Sequence, residues 1–457
     1  MPRTTVPAPL PPDAAEDQAR TRERARRTVR ELAARLSDPD DVVKVTTRPD
    51  NLDRHPGKPG PRSPWTPLTL AEGHTGVALL FAELSRADAA YRTTGHAHLA
   101  AAAGEVGTPT ASGLFYGVPS LAFAARISRH APDDYARLLE RLDAKVTARL
   151  RADLAQEHAR LDAGRPGVAM STYDVISGAT GLGRYLLLAE PRHHDLLAGT
   201  LTYLIRLTHP VTAHGHSVPG WWVPTQPSPV PDPRFARGHL NLGLAHGICG
   251  PLALLSLAWE AGVRVPGQLP AIARIAEHLL DHQLDTGLWP RAIGFDDFTR
   301  GTWTPGHGDA QVAWCYGTPG VARTLHLAGR ALHRPDWQER AVRGLDSALS
   351  LSPRLPGNSL CHGRAGLLHI TSLMAHDSAD PHLTAHLPGL ANTLLDAYDP
   401  AHPFGYRHDT PKLPADQLVA PHRAGFLQGT AGIALALHTF ATPSPPPRPW
   451  DAALLLK

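Results

Sequence analysis

Trp314-Cys-Tyr-Gly-Thr-Pro-Gly320 runs directly into VARTLHLAGRAL (321–332), a largely apolar segment, and this pattern recurs along the chain. A Gly-x-x-Gly turn, or a close variant of it, precedes an apolar run in seven places. The seven turns are Gly73-His-Thr-Gly76, Gly117-Val-Pro-Ser120, Gly178-Ala-Thr-Gly181, Gly247-Ile-Cys-Gly250, Gly317-Thr-Pro-Gly320, Gly363-Arg-Ala-Gly366 and Gly429-Thr-Ala-Gly432. One Gly-x-x-Gly is weak evidence, but seven copies in the same context indicate an internal repeat.

The segments before and after these turns differ in polarity. HHDLLAGTLTYLIRL (193–207) has apolar residues at helical spacing along one face, whereas LGRYLLLA (182–189) is apolar on most faces. A helix that is apolar all round is typical of a buried position. The sequence therefore predicts an all-α fold of seven hairpins, each with an outer amphipathic helix followed by an inner buried one. Seven such hairpins could close into an α/α toroid (barrel) of seven inner and seven outer helices.

Proline-rich ends and long loops frame the predicted toroid. We expect a flexible Pro-rich N-terminal tail over residues 1–16, the toroid over 17–442, and a Pro-rich C-terminal tail over 443–457. Three long Gly/Pro-rich loops precede inner helices and are expected at one rim. They cover 209–239, 284–311 and 399–425 and carry Trp221, Trp222, Trp289, Trp303 and Phe404. Such loops either wall a substrate cleft or pack their aromatic residues over the end of the toroid.

Composition excludes several classes of protein. The 45 basic and 42 acidic residues leave a net charge of only +3, which gives no reason to expect a nucleic-acid partner. No apolar run approaches the roughly 18 residues of a membrane span, and the N-terminus has no apolar signal segment. Three cysteines among 457 residues cannot form a disulfide scaffold. We therefore expect a cytoplasmic protein with no integral membrane segment.

Polar residues and cysteines occupy equivalent positions ahead of the turns. The residue before the first glycine is Glu72, Tyr116, Ser177, His246, Tyr316, His362 or Gln428. Cys315 and Cys361 both stand two residues before the first glycine, and Cys249 lies inside its own turn. If the inner helices run parallel, all of these side chains lie at one end of the toroid.

Cys315, Cys361 and His362 form a candidate metal site. Two thiolates and one imidazole suit Zn²⁺, and three protein ligands leave the fourth coordination position open, as in catalytic zinc sites. The two cysteines are 46 residues apart, which matches no compact zinc motif. Spacing alone therefore leaves open the alternative of two buried cysteines and a hydrogen-bonded histidine. The shared position in neighbouring repeats favours the metal site.

Asp174 and His246 are further candidates at the same end. Asp174 lies four residues before Gly178, where an acid could simply cap the inner helix. His246 could equally be a structural hydrogen-bonding residue. Cys249 is expected to be a packing residue rather than a ligand. Other histidines of the Gly/Pro-rich segments are expected to be mostly solvated, namely His214, His216, His307, His408 and His422.

Four segments resemble the signature of lanthipeptide cyclases, the LanC-like family. They are Tyr-Asp-Val-Ile-Ser-Gly (173–178), Ala-His-Gly-Ile-Cys-Gly (245–250), Trp-Cys-Tyr-Gly-Thr-Pro-Gly (314–320) and Cys-His-Gly-Arg-Ala-Gly (361–366). The resemblance covers nearly the whole chain, since all seven turns fit the seven-fold α/α toroid of that family. It implies a zinc enzyme, with one Zn²⁺ per chain, that adds peptide cysteine thiols to dehydroalanine or dehydrobutyrine. The products are (methyl)lanthionine thioether rings.

The resemblance also implies roles for individual residues. The family's zinc ligands match Cys315, Cys361 and His362, its proposed acid/base residues match His246 and Asp174, and a tyrosine near the metal matches Tyr316. The implied substrate is a precursor peptide in which a dehydratase has already dehydrated Ser and Thr. A known member carries an arginine four residues before the first zinc cysteine, where this chain has Gln311. That difference concerns the surroundings of the site rather than the zinc ligands.

The chain lacks the long N-terminal dehydratase region of fused lanthipeptide synthetases. We therefore expect a stand-alone cyclase of the class I type that works with a separate dehydratase. Two alternatives stay open at this point: a LanC-like zinc protein that adds glutathione to dehydrated residues, and a non-catalytic peptide-binding toroid. The Trp-Cys-Tyr-Gly and Cys-His-Gly pair argues against a third, a protein prenyltransferase subunit.

Overall fold

The structure is a computed structural model that describes residues 12–53, 60–107, 112–189, 192–228, 231–301, 310–355, 357–408, 421–442 and 449–457. Within these ranges the helices are α1 (Pro12–Arg35), α2 (Pro39–Thr46), α3 (His74–Leu84), α4 (Tyr91–Gly104), α5 (Gly117–Ile127), α6 (Ala136–Asp162), α7 (Met170–Tyr173), α8 (Ala179–Ala189), α9 (His194–Arg206), α10 (Cys249–Glu260), α11 (Gln268–Asp281), α12 (Phe295–Arg300), α13 (Thr318–Ala331), α14 (Pro335–Leu349), α15 (Arg364–Ser378), α16 (Pro381–Asp396) and α17 (Thr430–Ala441). The strands are β1 (Pro210–Ala213), β2 (His216–Pro219), β3 (His239–Asn241) and β4 (Ala292–Gly294). They form two small antiparallel sheets, β1 with β2 and β3 with β4. Among the described helices, none combines the length and apolarity needed to cross a membrane.

The predicted all-α fold, with seven outer and seven inner helices, is confirmed. The amphipathic segments fall on α1, α4, α6, α9, α11, α14 and α16, and the apolar runs on α3, α5, α8, α10, α13, α15 and α17. All eleven residues of the inner helix α3 are buried. In the outer helix α6, Leu139, Leu142, Val146 and Leu150 bury a single stripe, as expected for a helix with one face on the core. The short helices α2, α7 and α12 and the two sheets were not expected from the pattern.

The second glycine of the Gly-x-x-Gly turn is required because backbone passes too close for a side chain. A Cβ at Gly320 would collide with the carbonyl oxygen of Trp314, and one at Gly181 with that of Val175. In three further turns the carbonyl six residues upstream blocks the equivalent glycine, at Gly76, Gly366 and Gly432. In these five turns, the segment that leads into the turn therefore lies directly against the first turn of the inner helix.

The pairing of outer and inner helices follows the predicted order only in part. Each hairpin was expected to join an outer helix to the inner helix that follows it. The contacts of α6 with α8 and of α11 with α13 agree with this order, but α4 packs on α3, α9 on α8 and α16 on α15. The physical reason is connection length, because short links make consecutive helices antiparallel neighbours. Only Ala379 and Asp380 separate α15 from α16, with Ala379 at φ +54° and the Asp380 carboxylate accepting the backbone N–H of Leu383 at 3.0 Å. The first outer helix, α1, packs on α16 and α17.

The described residues divide into two compact units. One unit draws on Met1–Thr108, Ala124–Ala131 and Leu349–Trp450, and the other on Pro109–Phe123, Pro132–Ala348 and Asp451–Lys457. In the first unit, α17 packs on α1, α3 and α15. In the second unit, α10 packs on α8, α11 and α13. Inner helices thus form the core of each unit.

The end segments differ from the tails that were expected. Trp450–Leu454 is a 3-10 helix, and all residues of 450–456 are at most 1% exposed. Burial of the apolar side chains in WDAALLL outweighs the extended preference of the preceding prolines; residues 443–448 lie outside the described ranges. At the other end, α1 begins at Pro12, inside the tail predicted for 1–16, of which residues 1–11 are not described.

Candidate metal and acid–base site

Backbone hydrogen bonds join the positions that lie two residues before the first glycine of each turn, here called the slot positions. The N–H-to-carbonyl bonds run from Ala245 to Cys315 (3.1 Å) and from Phe115 to Ile176 (3.2 Å) in one unit, and from Cys361 to Leu427 (2.9 Å) and from Leu427 to Ala71 (3.1 Å) in the other. Each bond links the slot position of one repeat to that of the next. The equivalence of Cys315 and Cys361, inferred from sequence, therefore has a physical basis in the backbone.

The three predicted metal ligands form a group that could hold a metal ion. The ligand atoms of Cys315, Cys361 and His362 all lie within 4.8 Å of one another. Tetrahedral zinc, with Zn–S of about 2.3 Å and Zn–N of about 2.0 Å, needs ligand atoms roughly 3.5 Å apart, so the group fits with small side-chain adjustments. Cys361 is buried, Cys315 is half-buried and His362 is exposed. Among the described residues, it is the one group of three or more His, Cys, Asp or Glu side chains whose ligand atoms lie close enough together to hold a metal ion.

Asp174 uses its two carboxylate oxygens for different partners. Oδ1 accepts the backbone N–H groups of Ser177 and Gly178 at 2.7 and 2.8 Å, which satisfies donors at the start of α8. Oδ2 accepts the Nδ1–H of His246 at 2.6 Å. The Asp174 residue is only 1% exposed, so it is held rigidly. The capping contact and the histidine contact, which sequence left as alternatives, occur together.

His246 is oriented by Asp174 and Tyr316. Because a carboxylate only accepts, Nδ1 of His246 carries a proton and Nε2 is left as the ring atom that can exchange one. The His246 side chain is 34% exposed, in contrast to the buried carboxylate. Its ring stacks on that of Tyr316, with centroids 5.7 Å apart and an interplanar angle of 27°. Since Tyr316 follows Cys315 directly, this stacking places the His246–Asp174 pair close to the backbone of a candidate metal ligand.

Three further residues lie near this pair. The sequence carries no functional signal for Gly243 and Tyr173, and Cys249 was expected to be a packing residue. A Cβ at Gly243 would lie 2.7 Å from both the carbonyl oxygen of Cys315 and the ring of Tyr316, so only glycine lets that ring lie against the backbone. Tyr173 is fully buried, and burial raises the pKa of its hydroxyl well above the usual value. Burial likewise raises the pKa of the Cys249 thiol far above its usual value. Cys249 is therefore a protonated packing residue, as expected.

The aromatic residues of the long loops are buried rather than displayed. Trp289 and Phe404 are at most 1% exposed, and Trp221 and Trp222 at most 5%; Trp303 lies outside the described residues. This burial favours the packing alternative over an aromatic-walled cleft.

The remaining histidines and Gln311 fall into two groups. His214 and His216 are exposed as expected, and Gln311 is exposed while its carbonyl accepts the N–H of Thr318 at 2.9 Å. His422 is half-buried and lies 3.1 Å from a His402 ring nitrogen, and burial lowers the pKa of His408 to about 3. His408 and His422 are half-buried rather than surface groups, contrary to expectation; His307 lies outside the described residues.

The chain is thus an all-α protein of inner and outer helices, with a Cys-Cys-His group that could hold a metal ion and a His–Asp pair at the inner-helix turns. Residues 64–455 match the family described as lanthionine synthetase C-like protein, and the chain belongs to this family. It is 25% identical to the nisin biosynthesis protein NisC of Lactococcus lactis subsp. lactis over 315 residues, which is 67% of this chain and 73% of that protein. The solved structure of a nisin cyclase matches with a TM-score of 0.71 at 23% identity, over 85% of this chain and 92% of that one. The structural match is consistent with the predicted α/α toroid.

Proposed function

We propose that this protein is a zinc-dependent lanthipeptide cyclase, which adds cysteine thiols of a dehydrated precursor peptide to dehydroalanine and dehydrobutyrine. The observation that carries the proposal is the Cys315–Cys361–His362 group in a chain of the lanthionine synthetase C-like family. The names of its relatives, a nisin biosynthesis protein and a nisin cyclase, support the same substrate class. A separate dehydratase would supply the dehydrated peptide.

The proposed metal ligands suit this chemistry. A free thiol has a pKa of about 8.5 and is mostly protonated at neutral pH. Zinc, when bound, favours the thiolate form of a coordinated substrate cysteine. Two thiolate ligands from Cys315 and Cys361 would offset the metal's charge, which keeps the substrate sulfur nucleophilic. The exposure of His362 leaves one side of the group open to a peptide.

His246 is the proposed proton donor. When the thiolate sulfur bonds to the β-carbon of the dehydro residue, the alkene electron pair moves to the α-carbon and its carbonyl. The α-carbon then takes a proton, and imidazole is the side chain best suited to donate one at neutral pH. The proton lost by the thiol and the proton gained by the α-carbon balance, so cyclisation leaves the peptide mass unchanged. Asp174 would hold Nε2 toward the substrate and stabilise the imidazolium, and Tyr316 would set the plane of the ring.

The test of the function is incubation of the purified protein with a dehydrated, cysteine-containing peptide. Free thiols are alkylated before and after incubation and read by mass spectrometry. We expect loss of alkylatable thiol without a change of peptide mass. A gain of glutathione mass, when glutathione is present, would instead identify a glutathione-adding protein. Peptide that binds and keeps its thiols would identify a non-catalytic peptide-binding protein.

A further inference from the structure

The segment Asp451–Lys457 is anchored within its own unit by three buried side-chain donors, two on the inner helices α8 and α13 and one in the turn that leads into α13. The indole Nε1–H of Trp314 donates to the Leu454 carbonyl at 3.0 Å, the Arg323 guanidinium to the Leu456 carbonyl at 2.7 Å, and the Arg184 guanidinium to the Lys457 carbonyl at 2.7 Å. Arg323 and Arg184 are 1% and 6% exposed. Buried guanidinium groups are costly unless they are hydrogen-bonded, so these carbonyls compensate charges of α8 and α13.

Two further observations show that the segment is held in one conformation. Leu455 has φ +54°, a left-handed conformation that costs a leucine about 1–2 kcal/mol and persists only where surrounding contacts impose it. The Lys457 ammonium lies 3.3 Å from the carboxylate of Asp451, which is 0% exposed. Burial lowers the pKa of Arg184 to about 10, while the Asp451 charge acts in the opposite direction.

The Trp314 side chain, which donates to the Leu454 carbonyl, lies next in sequence to a candidate metal ligand. Trp314 immediately precedes Cys315, and its indole is 2% exposed and packs near Phe115 with ring centroids 6.3 Å apart. On the other side of the cysteine, the Cys315 carbonyl accepts the N–H of Ala245 at 3.1 Å. The backbone of Cys315 is therefore held from both directions, by the Trp314 side chain and by its own carbonyl.

We propose that the 451–457 segment is a positioning element for the metal site, which fixes the Cys315 thiol through the hydrogen bond between Trp314 and the Leu454 carbonyl. The metal-binding part of this inference rests on the proposed function. The positioning itself concerns the protein's own residues and can be measured without metal.

The test compares Trp314→Phe with Trp289→Phe. Both indoles are fully buried in the same unit, and the Trp289 N–H also donates to a backbone carbonyl, that of Leu279, at 2.7 Å. The first measurement is the alkylation rate of metal-free protein in a Cys361→Ala background. There Cys315 is the accessible thiol, since Cys249 is 0% exposed. Loss of one hydrogen bond predicts an alkylation rate about five-fold higher for Trp314→Phe and within about two-fold of the parent for Trp289→Phe.

The second measurement uses Co²⁺ with the wild-type cysteines. Trp314→Phe should weaken Co²⁺ affinity about five-fold and reduce the thiolate-to-cobalt absorption, whereas Trp289→Phe should change neither. If Trp314→Phe fails to fold by circular dichroism, Asp451→Asn, which loosens the segment without touching Trp314, should shift both measurements in the same direction. Equal behaviour of the tested variant and Trp289→Phe in both measurements would overturn the inference. Absence of Co²⁺ binding by the wild type would refute the metal proposal alone, because the alkylation measurement still tests positioning.

Discussion

Replacement of Asp174 by asparagine should separate its two contacts. The amide oxygen of the introduced asparagine can keep the backbone N–H groups of Ser177 and Gly178, now accepted by Oδ1 at 2.7 and 2.8 Å. The amide nitrogen must then face Nδ1 of His246, where Oδ2 lies at 2.6 Å. Since an amide nitrogen only donates, Nδ1 must become an acceptor and the ring proton moves to Nε2. The imidazolium form, with two donors facing each other, is disfavoured.

The magnitude follows from the contact that is lost. A hydrogen bond to a charged group contributes about 1.5–3 kcal/mol, and Asp174 is only 1% exposed, so little of this is lost to solvent screening. Cyclisation by Asp174→Asn should therefore fall by about 10- to 150-fold. The cap survives, so the free energy of unfolding should fall by no more than about 1.5–3 kcal/mol, the contribution of the weakened His246 contact. Asp174→Ala, which removes both contacts, should in addition lose about 1 kcal/mol of stability.

The assay is the alkylation and mass-spectrometry readout of ring formation, combined with urea unfolding. Asp380→Asn serves as the matched control, because the Asp380 carboxylate caps α16 through Leu383 at 3.0 Å and, among the described residues, lies outside the candidate site. It should leave both activity and stability near wild-type values. The reasoning is refuted if Asp174→Asn cyclises within about three-fold of wild type, or if it is destabilised as much as Asp174→Ala.

Three further predictions concern the metal group, acid stability and the repeat turns. Cys361→Ala should lose zinc, whereas Cys249→Ala, at a buried site outside the metal group, should retain it. Metal analysis of protein purified without chelator measures this, and zinc retained by both variants would contradict the ligand assignment. Burial lowers the pKa of His74 and His98 from 6.5 to about 4, so between those values the unfolded chain binds protons that the folded chain does not. The free energy of unfolding should fall by up to about 1.4 kcal/mol per pH unit for each histidine as the pH drops through this window. His98→Gln should reduce this dependence of stability on pH, measured by urea unfolding at several pH values. An unchanged dependence would be inconsistent with a neutral His74–His98 pair. Gly320→Ala should prevent stable folding, because the added Cβ collides with the Trp314 carbonyl. Gly199→Ala on α9 has open space around it and should raise the free energy of unfolding by about 0.5–1 kcal/mol. Equal midpoints for the two variants in thermal melts would argue against the turn geometry.

The helical architecture is largely readable from local sequence. Burial on all faces of α3, and on one stripe of α6, follows from the spacing of apolar residues. The partners of α4, α9 and α16 were predicted wrongly, because they depend on the length and geometry of connections such as Ala379–Asp380. The end segment 449–457 was read as a tail, because prolines precede it and a 3-10 helix of five residues has no periodic signature.

Sequence alone determined which features this protein has. They are seven repeated turns, an all-α class, and Cys315 and Cys361 at equivalent positions of two repeats, the second of them directly before His362. Those properties are local, since the glycine and apolar positions repeat along the chain and the shared cysteine position is fixed by its distance from the turn. Only the tertiary structure decided which atoms meet. It showed that Asp174 caps α8 and holds His246 at once, that slot positions are joined by backbone bonds, and that Trp314 is bound by Leu454, 140 residues away. Such contacts join residues far apart in the chain, so no periodicity records them, and they exist only once burial has brought the inner helices together.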